Sequence, residues 1–83
     1  MPQPRVVAYT TSWCPDCHRS KRLLVRRGVE FAEIDIERVA GAEAAMRGLN
    51  GGSGKVPTIL LGDEALVEPT DLDLEAALDR VFG

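Results

Sequence analysis

The feature that most constrains this chain is Cys14-Pro15-Asp16-Cys17, set between two segments of different periodicity. Arg5-Val6-Val7-Ala8-Tyr9, before it, is a compact apolar run rich in β-branched residues and reads as a buried strand. Thr10 to Trp13 form a loop. Pro15 then opens a helix that runs to about Arg27, where Gly28 is placed to end it. Leu23 and Leu24, with Ser20 and Cys17 one and two turns back, line its inner face. A strand that passes at once into a helix points to a crossover unit with a parallel partner strand.

The rest of the chain supplies that partner and closes the sheet. Residues 29–36 alternate, with Val29, Phe31 and Ile34 apolar among Glu30, Glu33 and Asp35, and read as a second strand. Val39, Ala42, Met46 and Leu49 stand at helical spacing and define a second helix. Asn50-Gly51-Gly52-Ser53-Gly54 stops it in a loop. Thr58-Ile59-Leu60-Leu61 is a third strand. Gly62-Asp63-Glu64 turns into Ala65-Leu66-Val67, a short fourth strand that completes a hairpin. Thr70-Asp71-Leu72-Asp73 fits a helix start with Thr70 or Asp71 capping, and Leu74, Ala77, Leu78 and Val81 give that helix its apolar stripe. Pro2 and Pro4 mark a short irregular start. The order βαβαββα predicts an α/β chain: one domain over residues 1–83, with a four-stranded mixed sheet and three helices on its two faces.

Charge and composition narrow the function. The net charge of -3 excludes the basic excess expected of a nucleic-acid protein. Arg19, Lys21, Arg22, Arg26 and Arg27 supply half of the 10 basic residues. They read as a solvated helix face, or else as a surface for an acidic partner. Aromatics are few, so Trp13 beside Cys14 stands out. The start of the chain offers neither the apolar core of a signal peptide nor a membrane span, so a cytoplasmic, reducing location is expected. Two cysteines there are more often catalytic or metal-binding than structural.

Position gives the cysteines unequal chemistry. With Pro15 first in the helix, Cys14 is the N-cap, and its sulfur can accept from the amides of Asp16 or Cys17. Those amides and the positive end of the helix dipole favour a thiolate. Cys17 lies one turn in, on the inner side, and is expected to stay protonated until needed. Cys14 is then the nucleophile and Cys17 the resolving thiol. A static disulfide closing so short a loop would add little stability. Cys14-Pro15-Asp16-Cys17-His18 also fits a haem-attachment pattern, but with no axial partner or export signal. Residues 48–55 resemble a phosphate loop in composition only, because the lysine is misplaced and Val56 stands where Ser or Thr is needed. Structural zinc needs four ligands, and one chain offers two Cys and one His together.

Tyr9-Thr10-Thr11-Ser12-Trp13-Cys14-Pro15-Asp16-Cys17, Val56-Pro57-Thr58 and Thr70-Asp71-Leu72 resemble a glutaredoxin over nearly the whole chain, and the Thr-Thr-Ser-Trp-Cys opening is most similar to the mycoredoxin branch. The resemblance implies a thioredoxin-like fold and thiol–disulfide oxidoreductase activity. It implies a cis Pro57 packed against the cysteines, although only about 5–6% of X–Pro bonds are cis. The Val56 backbone would pair with an extended substrate. Trp13, Pro15, Asp16, Val56, Pro57, Thr70 and Asp71 become candidate substrate- and thiol-binding residues, Thr70 and Asp71 matching the segment that holds a γ-glutamyl end.

Three departures qualify the likeness. Thr11 stands where many glutathione-using members have lysine. Val67-Glu68, followed by Pro69, replaces a common Gly-Gly pair. Asp16 replaces a common aromatic, and its charge opposes the Cys14 thiolate, whereas a protonated His18 would favour it. The first two weigh against glutathione.

Expected partners are client proteins with disulfides and a low-molecular-weight thiol (mycothiol, bacillithiol or glutathione) or a flavoprotein reductase. No bound cofactor, metal, membrane or nucleic acid is expected, and the chain is expected to be a monomer. Two alternatives stay open. One is a hydrogen-donor redoxin for ribonucleotide reductase fed by thioredoxin reductase, although the Trp-Ser-Gly-Phe-Arg-Pro segment of those redoxins is absent. The other is a dimer bridged by an iron–sulfur cluster, which Pro15 disfavours.

Overall fold

Burial along the first strand sets the plan of the molecule. In the computed structural model, which describes residues 5–82, β1 (Val6–Thr10) buries Val6 and Ala8 on one face and Tyr9 on the other. A strand covered on both faces belongs in the middle of a sheet. The order is β2-β1-β3-β4. Strand β2 (Phe31–Asp35) runs parallel to β1, with Val6 opposite Phe31, and β3 (Thr58–Leu61) runs antiparallel to it, with Val6 opposite Leu61. Strand β4 (Glu64–Val67) closes a hairpin on β3 through a tight turn in which Gly62 takes φ +59. The expected mixed sheet is therefore present, in the expected chain order. Pro2 and Pro4 lie outside the described residues.

Helix α1 (Pro15–Arg26) stops where the sequence placed its end. Gly28, at φ +68, donates to the Val25 carbonyl at 3.0 Å, and Val29 donates to Leu24 at 3.0 Å. This double closure satisfies two carbonyls of the last turn. It also draws Val29 out of the ladder, so β2 begins two residues later than its alternation suggests.

The second helix differs from expectation. Helix α2 (Ala42–Leu49) begins after Gly41, whose left-handed φ of +79 breaks the helical path. Val39 is thus a turn residue, 50% exposed, and of the proposed stripe only Ala42 and Met46 are buried. Helix α3 (Asp71–Phe82) is capped by Thr70, whose hydroxyl accepts from the Asp73 amide at 3.0 Å.

The main core joins Val6, Ala8, Ile59 and Leu61 of the sheet to Leu23 and Leu24 of α1 and to Leu74, Ala77 and Leu78 of α3. Each fully buried Leu or Ile contributes roughly 1.5–3 kcal/mol of transfer free energy. The same packing fixes α1, and with it the cysteines, against the sheet. Arg27 at the end of α1 pairs with Glu75 and, at 2.8 Å, with Asp79 of α3. Among the described residues no helix is long and apolar enough to cross a membrane.

Candidate active site

Three segments converge on the cysteines: the loop leaving β1, the first turn of α1, and the residues entering β3. Cys14 is the N-cap of α1, at φ -88 and ψ 114, with Pro15 at the first helical position. Its Sγ accepts a hydrogen bond from the Cys17 backbone amide at 3.1 Å. Of the two amides within reach in principle, Cys17 supplies the bond. The Cys14 thiol, 6% exposed, also faces the Val56 carbonyl at 3.8 Å, a long contact. The Val56–Pro57 bond is cis.

Cys17 is fully buried. Burial, and next the neighbouring Cys14, push its thiol up to about 12, while the Thr11 amide and the Lys21 charge pull weakly the other way. A buried thiol lacks the solvation a thiolate needs. Both cysteines are free thiols. One thiol therefore sits at a helix N-terminus with an amide aimed at it, and the other is held protonated behind it.

Other candidates are distributed unevenly. Asp16 does not stand alone beside Cys14, because Arg19 Nη1 lies 3.1 Å from its carboxylate. Arg19 Nε is also 3.3 Å from Asp71, so one guanidinium links the first turn of α1 to the start of α3. Asp71 thus joins the cysteine region through Arg19, while the Thr70 hydroxyl is used in capping. Trp13 is 66% exposed, and its indole N–H donates to Glu37 at 3.0 Å. The His18 Nε2 faces the Ser12 carbonyl at 3.1 Å and braces the loop.

Arg19 and Glu37 were missed in the sequence. Asp16 and Arg19 stand at helical i,i+3 spacing, a legible signal, but nothing local points from Trp13 to Glu37. Of the five clustered cations, Arg19, Lys21 and Arg27 are engaged in ion pairs within the chain. That favours the solvated-face reading over an acidic-partner surface.

The segment before α3 carries the departure noted at Val67-Glu68. Glu68 takes φ 47, the left-handed region in which glycine is at ease. Its amide donates to the Pro57 carbonyl at 2.8 Å, and its carboxylate lies 3.6 Å from Lys55 Nζ.

A dithiol with this asymmetry is suited to thiol–disulfide exchange. The glutaredoxin family model matches residues 6–66. The chain belongs to the glutaredoxin family. As a glutaredoxin, it is a thiol–disulfide oxidoreductase with a thioredoxin-like fold. It is 36% identical over 76 residues to a Mycobacterium tuberculosis protein named as a glutaredoxin, covering 90% of each chain. It is 48% identical over 62 residues to the glutaredoxin of Pseudomonas aeruginosa, covering 72% of this chain and 70% of that one. Among solved structures, the glutaredoxin-like NrdH-redoxin of Escherichia coli superimposes with a TM-score of 0.76 at 29% identity, over 87% of this chain and 92% of that one. That structure is described as explaining a thioredoxin-like activity profile.

Proposed function

We propose that this glutaredoxin reduces protein disulfides and mixed disulfides by a dithiol route, with Cys14 as nucleophile and Cys17 as resolving thiol. The observation that carries the reading is the amide of Cys17 donating to Cys14 Sγ at 3.1 Å while the Cys17 thiol is buried and pushed up to about 12. The Cys14 thiolate attacks one client sulfur; the client S–S bond breaks and its other sulfur leaves as a thiolate. Cys17 then gives up its proton to that thiolate and attacks Cys14. The second client sulfur leaves, and a Cys14–Cys17 disulfide remains. Two electrons have passed to the client. Two molecules of a low-molecular-weight thiol, or a flavoprotein reductase, restore the dithiol. Trp13, Pro15, Val56 and Pro57 border the sulfur that clients must reach, with the Val56 backbone pairing an extended segment. The protein works as a cytoplasmic monomer.

The test is a pair of variants. Cys14→Ser is expected to abolish disulfide reduction, and Cys17→Ser to accumulate a mixed disulfide with client or small thiol. Turnover retained by Cys14→Ser, with Cys17→Ser inert, would reverse the roles.

A second reading, a hydrogen-donor redoxin supplied by a flavoprotein reductase, draws support from the likeness to NrdH-redoxin. Oxidised protein offered either a small thiol or thioredoxin reductase with NADPH separates the two by which one regenerates thiols.

A further inference from the structure

The second half of the exchange asks for a thiolate at Cys17, a residue that is fully buried and whose thiol resists ionisation. A thiolate formed there needs a favourable charge close by. Helix α1 puts Lys21 four residues on, one turn along the same side of the helix, with the two Cβ atoms about 5–6 Å apart. Lys21 does not reach out into water. Only 22% of its side chain is exposed, and its ammonium lies 2.7 Å from Glu33 Oε2. The strand register explains this direction. Glu33 pairs with Ala8 in the parallel ladder, so its side chain rises on the sheet face shared by Val6, Ala8 and Thr10, the face that α1 covers. Thr10 donates to the same carboxylate oxygen at 2.9 Å and fixes it from below.

The surroundings of Cys17 also hold polar capacity that a thiol leaves unused. The hydroxyls of Ser20, one turn from Cys17, and of Thr11, whose amide faces the sulfur, are buried without a hydrogen-bond partner. Orphaned buried hydroxyls are few in folded proteins and call for a reason. A thiolate, which accepts hydrogen bonds better than a thiol, supplies one. Charged groups face this region from three elements. On α1 they are Cys14 and Lys21, with His18 acting on Glu33. Strand β2 adds Glu33, and α3 adds Asp71, which is paired with Arg19. Cys14 loses its charge once it is bound in a mixed disulfide. The Lys21 ammonium, moderated by Glu33, still acts on Cys17 at that stage.

We propose that Lys21 is a positioning residue for the resolving step: its ammonium favours the Cys17 thiolate that attacks Cys14, while Glu33 holds that ammonium in place and moderates it. The inference rests on the dithiol reading above and names what prepares its second thiol. In this step the Cys17 proton passes to the thiolate released earlier. A bond forms from Cys17 Sγ to Cys14 Sγ, the bond from Cys14 to the client sulfur breaks, and that sulfur leaves with the electron pair. Lys21 and Glu33 act on the step with opposite signs. Loss of the Lys21 charge disfavours the thiolate, whereas loss of the Glu33 charge with its acceptor oxygen kept favours it. A pair that served only to hold the fold would give the same sign for both. A partly exposed, paired charge at this range changes the thiolate population about tenfold. About half of that logarithm is returned as altered nucleophilicity, so the rate changes about threefold. The effect is largest at low salt.

The experiment mixes reduced full-length protein with equimolar 4,4′-dithiodipyridine, a neutral disulfide, and follows released thiopyridone by stopped-flow absorbance at neutral pH and low salt. The first equivalent reports attack by Cys14, at a rate that depends on concentration. The second reports attack by Cys17, at a rate that does not, and Cys17→Ser removes it. Lys21→Met is expected to slow the second phase about threefold, with the first little changed, and Lys21→Arg to keep it within about twofold of wild type. Glu33→Gln is expected to speed it about threefold. If Lys21→Met and Glu33→Gln both slow the second phase, or neither moves it, the role of Lys21 is overturned while the oxidoreductase reading stands. Should Lys21→Met fail to fold, Glu33→Gln decides alone, and any result but acceleration overturns the proposal. If wild type shows no concentration-independent second phase, the dithiol reading falls and this inference falls with it.

Discussion

Thr10 donates its hydroxyl hydrogen to the Glu33 carboxylate at 2.9 Å, tying the end of β1 to the middle of β2 directly beneath the cysteine loop. Lys21 of α1 reaches the same oxygen at 2.7 Å. The Lys21 hydrogen bond, and to a lesser degree that of Thr10, holds Glu33 below the usual carboxylate range. Glu33→Ala would strand a hydroxyl on a residue only 1% exposed. The expected loss is about 1–3 kcal/mol in urea unfolding. Adding Thr10→Val, which removes the stranded group, should recover part of it. A double variant as unstable as the sum of the singles would contradict this relationship.

Cys17 ties stability to alkaline pH. Its folded value of about 12 lies above the ordinary 9.0, so the reduced fold binds a proton that the unfolded chain has released between those values. The contribution is fully present below about pH 9 and is lost as the pH rises toward 12. Thermal melts of the reduced protein should therefore fall more steeply from pH 9 upward than those of Cys17→Ala. Parallel curves for the two proteins would show that the buried thiol ionises no differently in the fold.

Asn50 braces the loop that carries Val56 to the cysteines. Its side-chain amide donates to the Thr58 hydroxyl at 3.0 Å and accepts from the Ser53 amide at 2.9 Å, while the Thr58 hydroxyl donates to the Lys55 carbonyl at 3.0 Å. Thr58 is fully buried, so its hydroxyl depends on this network. Asn50→Ala is expected to cost about 1–3 kcal/mol by chemical denaturation. It should also slow reduction of protein disulfides more than of small ones if, as proposed, extended clients pair with the Val56 backbone. An equal effect on both would assign Asn50 a purely structural role.

The parts of the molecule written into local sequence were legible. Pro15 and Gly28 bracket α1, Thr70 caps α3, and the cysteines are made unequal by a single helical turn. Val39 was misread because helical spacing counts residues and not backbone angles; the left-handed Gly41 interrupts the run before Ala42. The finer electrostatics of the site were hidden for another reason. Arg19 meets Asp71, Trp13 meets Glu37 and Lys55 meets Glu68 only after folding. Asp16 likewise reads as an unopposed charge near Cys14 until its other neighbours are known. Replacement of a Gly-Gly pair by Val67-Glu68 reads in sequence only as weighing against glutathione; in the fold Glu68 keeps a glycine-like φ of 47 and adds a carboxylate.

The most direct measurement is competitive alkylation of the reduced protein with limiting iodoacetamide at pH 7, the labelled cysteine being read by peptide mass mapping. Cys14 sits at the helix N-terminus with an amide 3.1 Å from its sulfur, whereas Cys17 is buried and pushed up to about 12. Only thiolate reacts at an appreciable rate. Cys14 should be modified at least about tenfold faster than Cys17. Labelling of Cys17 at an equal or greater rate would contradict the assignment of Cys14 as nucleophile.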